Sequence, residues 1–355
     1  MSVPARVAVG ADARTTARAD ARATARTNEL TYRPVRADEI ETCAAIWRAA
    51  INDYIVHLGQ EEIPPEVNPI IRLFTHLQAT DPGGFIVATE PPPVVEVSED
   101  GPGADGRAPA ERVVAFTLAI TRERLWYLSM LFVLPELQGM GVGRRLLARV
   151  LPGDDRIARA TATDSAQPIS NALYATYGIA PRMPLLNLSG LPSRPEAFGA
   201  LPSGVVPVAF DAVAAGPPDG PGHRRLTAAV DALDRELLGA AHPMDHRFLR
   251  SESRRGWLYH GPDGIPLGYG YAGEAGRLGP VAVRDEALLA PILGHLTTVV
   301  VPRGAFATWI GGAADRALVA LLGAGFRLEG FPVLLCWDRP FADFSRYLPI
   351  SPGLI

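Results

Sequence analysis

The sequence predicts a mixed α/β fold built from two similar halves, and three observations carry that expectation. Short apolar runs alternate with stretches of helical periodicity along most of the 355 residues, the pattern of strands and helices sharing a core. Wording from the first half returns in the second: "NALYATYGI" at 171–179 and "RALVALLGAGF" at 316–326 each read as a short helix running into glycine and an apolar residue, the mark of a tandem duplication. Pro, Gly and Ala accumulate between 190 and 222 around one lone strand, "VVPVAF", which sets the junction near 190–203. The expected divisions are a disordered tail over 1–28, a first domain over 29–195 and a second over 196–355.

The elements follow in order. Residues 1–28 repeat Ala, Arg, Thr and Asp with no continuous apolar run, so they read as a tail and not as a secretory signal. A strand at 30–35 leads into a helix whose apolar residues Ile40, Cys43, Ala44, Ile46, Trp47 and Ile51 share one face. A second helix over 66–79 stops at "DPGG", before the strand "GFIVATE". The Pro, Gly and acid-rich stretch 91–110 reads as an exposed loop. A long hairpin bending at "TRER" ends in an apolar strand. Then come a helix at 142–151, the strand "IARATAT", a short helix closed by Gly178 and the strand "PLLNLSG". In the second half, helices near 223–238 and 243–252 precede three strands, the helix "EALLAPILGHLTT", the strand "FATWIGG", the helix "DRALVALLGAG" and the strand "FPVLLCW". The ending "RYLPISPGLI" has little charge and reads as an arm that packs in extended form.

Composition excludes several classes. With 34 basic and 38 acidic residues and a net charge of −4, no broad cationic face recruits nucleic acid or anionic lipid. No run of eighteen apolar residues is present, so no membrane span is expected. The two cysteines, Cys43 and Cys336, cannot build a disulfide framework and fit a reducing cytoplasm. "HPMDH" sets His242 and His246 four apart, but no third ligand stands nearby and Pro243 marks a helix start, so no metal is expected.

The stretch "LFVLPELQGMGVGRRLLARVL" at 131–151 carries the chemistry. A dinucleotide fingerprint would need glycine at 144, where Arg144 stands, and a phosphate-binding P-loop would need Gly-Lys-Ser/Thr. Gln138, Gly141 and Gly143 instead form Q/R-x-x-G-x-G/A between an apolar strand and a helix carrying Arg144, Arg145 and Arg149. Glycines let the backbone close on a diphosphate, and the N–H groups at a helix start direct partial positive charge at it.

This pattern resembles motif A of the Gcn5-related N-acetyltransferase (GNAT) superfamily, whose members move an acyl group from acyl-coenzyme A to an amine. The resemblance implies two tandem GNAT-like domains in an α/β fold with a mixed sheet, with acetyl-CoA as acyl donor. It implies that Leu131, Phe132 and Val133 offer backbone groups to the pantetheine arm, while Gln138, Gly139, Met140, Gly141, Val142, Gly143 and Arg144 hold the phosphates. "NALYATYGI" resembles motif B, which implies that Asn171 touches the cofactor arm and Tyr174 is the general acid. An unperturbed phenol has a pKa near that of a thiol, so it can return a proton to the leaving sulfur. Glu123, at the hairpin bend, is the candidate base, with Asp53 and Glu61 as further acids to test.

In the second half, "RLGPVAVRDEALLAPIL" takes the place of motif A without its glycines and brings Asp285 and Glu286 where a diphosphate needs donors. Leu321 takes the place of the tyrosine. This half resembles the degenerate domain of tandem acetyltransferases of actinobacteria. Its strand aromatics Trp257, Tyr259, Tyr269, Tyr271 and Trp309 suit core positions. The expected protein is a cytoplasmic enzyme, monomer or homodimer, acetylating a small-molecule amine. The alternatives are a mycothiol synthase-like acetyltransferase and a non-catalytic acyl-CoA sensor.

Overall fold

The computed structural model describes residues 29–92, 111–217 and 220–355; the expected tail at 1–28 and most of the expected loop at 91–110 lie outside them. The first half runs β1 (Thr31–Pro34), α1 (Ile40–Ile55), α2 (Asn68–Thr80), β2 (Phe85–Glu90), β3 (Arg112–Arg122), β4 (Leu125–Val133), α3 (Val142–Val150), β5 (Ala158–Asp164), α4 (Pro168–Ala175) and β6 (Ala180–Gly190). The second runs β7 (Val206–Ala209), a single-turn α5 (Phe210–Val213), α6 (Pro221–Leu237), α7 (Pro243–Ser251), β8 (Arg254–His260), β9 (Pro266–Gly273), β10 (Leu278–Val283), α8 (Leu289–Val299), β11 (Phe306–Gly311), α9 (Asp315–Ala324) and β12 (Arg327–Trp337), followed by β13 (Tyr347–Leu348). Apart from α5 and β13, the described residues of the two halves have the same element order, which is the pattern a tandem duplication predicts.

The residues pack as two compact units, Met1–Leu118 with Met130–Leu151, and Ala119–Ser129 with Pro152–Ile355. Two of the three boundaries fall inside strands, β3 and β4, and the third directly follows α3. In the first unit the strands follow the order β1-β2-β3-β4, with β1 and β2, and β2 and β3, antiparallel. Its α2 buries Leu73, Phe74 and Leu77 from every third or fourth position. Phe74 meets the strand residues Phe85 and Phe116 edge-on, with centroids 5.9 and 5.3 Å apart, a geometry the ring quadrupoles favour.

In the second unit, β4 pairs in parallel with β5, and the order continues β5-β12-β6-β11. The pairs β12–β5, β12–β6 and β11–β6 are antiparallel, which makes the sheet mixed, as expected. The last strand of each half is exchanged: β12, from the second half, lies on β5, and β6, from the first, lies on β11. A five-stranded sheet, β13-β10-β9-β8-β7, completes this unit. Its main core joins Leu278, Val281 and Val283 of β10 to Leu289, Ile292, Leu293 and Leu296 of α8, whose spacing keeps one face inward. Trp257, Tyr259, Tyr269 and Tyr271 are buried, as expected of core positions, whereas Trp309 on β11 is only half-buried. The terminal segment packs as expected: β13 pairs with β10, and Leu354 and Ile355 are buried.

The start of α1 is held by charge. Glu39, which is 7% exposed, accepts hydrogen bonds from the Arg33 guanidinium at 2.6 and 2.8 Å and from the Arg36 backbone N–H at 2.8 Å. The Arg33 bond above all lowers its carboxyl from 4.5 to about 2. Its contribution to stability is therefore complete above pH 4.5 and is lost as pH falls through about 2. Glu39→Gln should cost about 2 kcal/mol in urea denaturation at pH 7, and the gap between the two proteins should close between pH 4.5 and 2; a gap independent of pH would refute the ionic account.

Candidate functional site

The glycine turn belongs to the first unit. β4 ends at Val133, a short 3-10 turn covers Pro135–Leu137, and α3 begins at Val142. The turn is anchored by what it buries: Leu137, Val142 and Leu146 sit in one cluster with Leu30, Ala88 and Val114. Between these anchors the backbone must turn back on itself within a few residues. Gly139 and Gly141 have φ of 77° and 80°, the left-handed region that a side chain disfavours by about 1–2 kcal/mol. A Cβ built on either glycine meets nothing within 4 Å, so the turn faces open room that side chains would fill. The first helical bond runs from Arg145 N–H to Gly141 O at 3.1 Å, leaving the N–H groups of Val142, Gly143 and Arg144 ahead of the intrahelical ladder.

The other expected donor-site residues take distinct places in that unit. The Gln138 side chain turns inward, its Nε2 donating to Val133 O at 3.1 Å, so it braces the turn. Leu131, Phe132 and Val133 are half-buried, and Phe132 packs on Phe116 with centroids 5.8 Å apart. Met140 is partly buried against the same cluster as Leu137. Arg144 is exposed and has no ion-pair partner among the described residues. Arg149 is engaged elsewhere, with its guanidinium 3.7 Å above the Tyr32 ring.

Asn171 and Tyr174 belong to the second unit, on α4. Asn171 donates through Nδ2 to Asp164 O at 3.0 Å and Gln167 O at 2.8 Å, closing the turn from β5 into α4. Its Oδ1 is buried and has no hydrogen-bond partner. Tyr174 is 4% exposed and lies beside Tyr127 and Cys336, and burial pushes its hydroxyl well above the ordinary phenol value. The near-equality of phenol and thiol used in the sequence argument thus does not hold for this buried side chain. Tyr127 and Ser129, two apart on one face of β4, donate to the carbonyls of Pro352 and Gly353 in the terminal arm. Neither contact was legible in advance, since the only signal was the low charge of that arm. The β4–β5 register runs from Leu125↔Ala158 to Leu128↔Thr161, although both strands continue.

Glu123 is not gathered with these groups. It occupies the exposed tip of the β3–β4 hairpin, at the end of β4 opposite the glycine turn, with φ of 50°. Its carboxylate accepts from Arg235 Nε at 2.8 Å. Asp53 and Glu61 are exposed residues of the first unit.

The corresponding turn of the second half is built oppositely. After β10, Asp285 Oδ1 accepts from Ala287 N–H at 3.0 Å and caps the helical start from within. Leu321, in the place of Tyr174, is completely buried.

An apolar strand that ends in a left-handed glycine turn opening a helix, set in a mixed α/β sheet whose parallel pair is β4–β5, is the arrangement around the candidate site. Residues 108–184 match the family model described as an acetyltransferase (GNAT) domain. The match places a GNAT acetyltransferase domain within residues 108–184, and the general reaction of that family is acetyl transfer from acetyl-CoA to an amine. Solved structures share the fold over almost the whole length. A Pyrococcus horikoshii protein assigned as an acetyltransferase superposes with a TM-score of 0.63 at 14% identity, covering 92% of this chain and 96% of that one. A GCN5-related N-acetyltransferase from Sphaerobacter thermophilus superposes with a TM-score of 0.52 at 15% identity, covering 90% and 98%. No curated protein matches the sequence.

Gly141→Ala tests the backbone reading directly. With no atom within 4 Å to collide with, the substitution should cost only the conformational strain, about 1–2 kcal/mol in urea denaturation, with helix content unchanged by circular dichroism. A loss above about 3 kcal/mol would mean that the turn is packed and not open.

Proposed function

We propose that this protein is an N-acyltransferase that moves the acetyl group of acetyl-CoA to the amine of a small molecule, with catalysis in residues 29–195 and none in 196–355. The observation that carries the proposal is the turn at 138–144, where two left-handed glycines face open room at the start of α3. It fits a diphosphate, because backbone N–H groups can approach an anion only where no Cβ intervenes. In this reading Gly139, Met140, Gly141, Val142, Gly143 and Arg144 hold the phosphates, and Gln138 keeps the turn in shape through Val133 O. Leu131, Phe132 and Val133 give backbone groups to the pantetheine arm. Asn171, whose Oδ1 lacks a partner, accepts from an amide of that arm.

Acetyl-CoA supplies an acyl group already activated as a thioester, so the chain's main task is positioning. Tyr174 keeps its proton across the neutral range because burial raises its pKa. It serves as the hydrogen-bond donor to sulfur, and its proton moves only as charge develops there. Glu123 does not enter as the base: an exposed carboxylate bound by a guanidinium is a weak acceptor, and it stands at the wrong end of β4. The second half is silent because Asp285 provides at its helix start the negative charge that a diphosphate would otherwise bring. No helix among the described residues is long and apolar enough to cross a membrane, and the cytoplasm is the proposed location.

Calorimetry with acetyl-CoA, followed by thiol release with a panel of amines, tests this reading. The intact chain should bind acetyl-CoA, Gly141→Val should weaken binding at least about tenfold by occupying the open room, and Tyr174→Phe should lower kcat by about 10²-fold or more with binding unchanged. Binding without thiol release from any amine would identify an acyl-CoA sensor; absence of binding would overturn the proposal as a whole.

A further inference from the structure

The second unit contains a buried cluster that the acetyl-transfer chemistry does not use. Asp234, in the last turn of α6, and His242 and His246, at the start of α7, each offer one ligand atom, and the three atoms lie within 4.8 Å of one another. Asp234 Oδ2 is 3.4 Å from His242 Nε2 and 2.8 Å from His246 Nε2. Asp234 and His242 are 0% exposed and His246 3%. The sequence set the histidine pair aside because no third ligand stood nearby; the α6–α7 corner brings that ligand from eight residues upstream.

The opposite atom of each of these side chains has its own neighbour. Asp234 Oδ1 accepts from the Tyr269 hydroxyl at 2.6 Å, and His246 Nδ1 is 3.0 Å from the Tyr271 hydroxyl. His242 Nδ1 faces Asp245 Oδ2 at 3.6 Å, and Asp245 is gripped by Arg122 at 2.8 and 3.0 Å. Such outer partners fix the orientation and tautomer of metal-bound side chains. Arg122 pairs with Asp245, while the fully buried carboxylate of Asp234 is faced by the two imidazoles. Both His242 ring nitrogens are buried without a hydrogen bond, and its Nε2 lies on the same Asp234 oxygen as His246 Nε2.

We infer that Asp234, His242 and His246 form a site for one divalent zinc-class ion. Two imidazoles and a carboxylate are the donor set such ions prefer. The buried Tyr347 hydroxyl, without a hydrogen-bond partner, lies within electrostatic reach of Asp234 and Asp245, and water can complete a fourth position. The ion staples α6 to α7; it takes no part in acetyl transfer. Both histidines bind through unprotonated nitrogens, so protons compete with the ion for them.

The test uses the intact chain, stripped on a chelating resin, reloaded with Zn²⁺ and freed of excess by gel filtration. One zinc per chain by elemental analysis is expected, with a higher Tm than the stripped protein and loss of the zinc in His242→Ala and His246→Ala. Because those variants can fail to fold, Co²⁺ loading of the wild-type chain is read in parallel, and visible d–d bands of a four-coordinate nitrogen and oxygen site are expected. Less than about 0.1 zinc per chain, an unshifted Tm, or zinc retained by a folded His242→Ala variant would each overturn the site. None of these readings depends on acetyl-CoA binding.

Discussion

The antiparallel pair β6–β12 is the constraint on which the second unit depends. Each half of the repeat reaches its last strand only after a helix, and there the chain pairs with the other half: Val333–Trp337 of β12 lie on β5, and Phe306–Gly311 of β11 lie on β6. A strand edge left unpaired beside β5 would expose a row of backbone donors and acceptors, and the strand that covers it comes from about 170 residues further along. The second half therefore has a structural role in the first. The same dependence appears in side chains, where Asp338 binds Arg159 through both its backbone N–H and its guanidinium. It appears again in the terminal arm, which takes hydrogen bonds from Tyr127 and Ser129 of β4.

Local features were legible because local physics fixes them. Ile40, Cys43, Ala44 and Ile46 announced α1 by their spacing, and all four are buried. The glycines at 139 and 141 announced a left-handed turn, since a conformation costly to every other residue leaves its trace in residue type. The exchange of β6 and β12 left no such trace. Both read as apolar strands after short helices, and the choice of neighbour is made by distant edges that no periodicity records. The strands also begin earlier than their apolar runs suggest, β6 at Ala180 and β12 at Arg327, because pairing on both sides extends order into polar residues.

Side-chain chemistry was legible only as residue type. Tyr174 was singled out from its place before Gly178, yet its proton affinity is raised by the exclusion of water and by Cys336, both supplied by tertiary packing. Glu123 looked suitable because it preceded the strand that leads to the glycine turn. A strand rises about 3.3 Å per residue, so a position before β4 lies at the far end from one after it. His242 and His246 were visible as a pair, while Asp234 lies on the preceding helix, and only the corner at 238–242 shows that they converge. Gly239, with φ of 81°, permits that corner, where a Cβ would sit 2.3 Å from Phe341 O.

The two halves satisfy the same helix start in two different ways. A helix start presents N–H groups that need an acceptor, whether from a ligand, from water or from the chain itself. In the first half the residues before α3 are glycines, which supply no acceptor and open the backbone to an outside anion. In the second half Asp285 supplies the acceptor from within and adds a negative charge that repels any second anion. One change in the type of residue ahead of the helix thus satisfies the backbone from within. Once that requirement is met internally, the copy can diverge freely at the other positions of the site, as Leu321 in place of a tyrosine illustrates, while β12 and the terminal arm remain under the constraint of the sheet they complete.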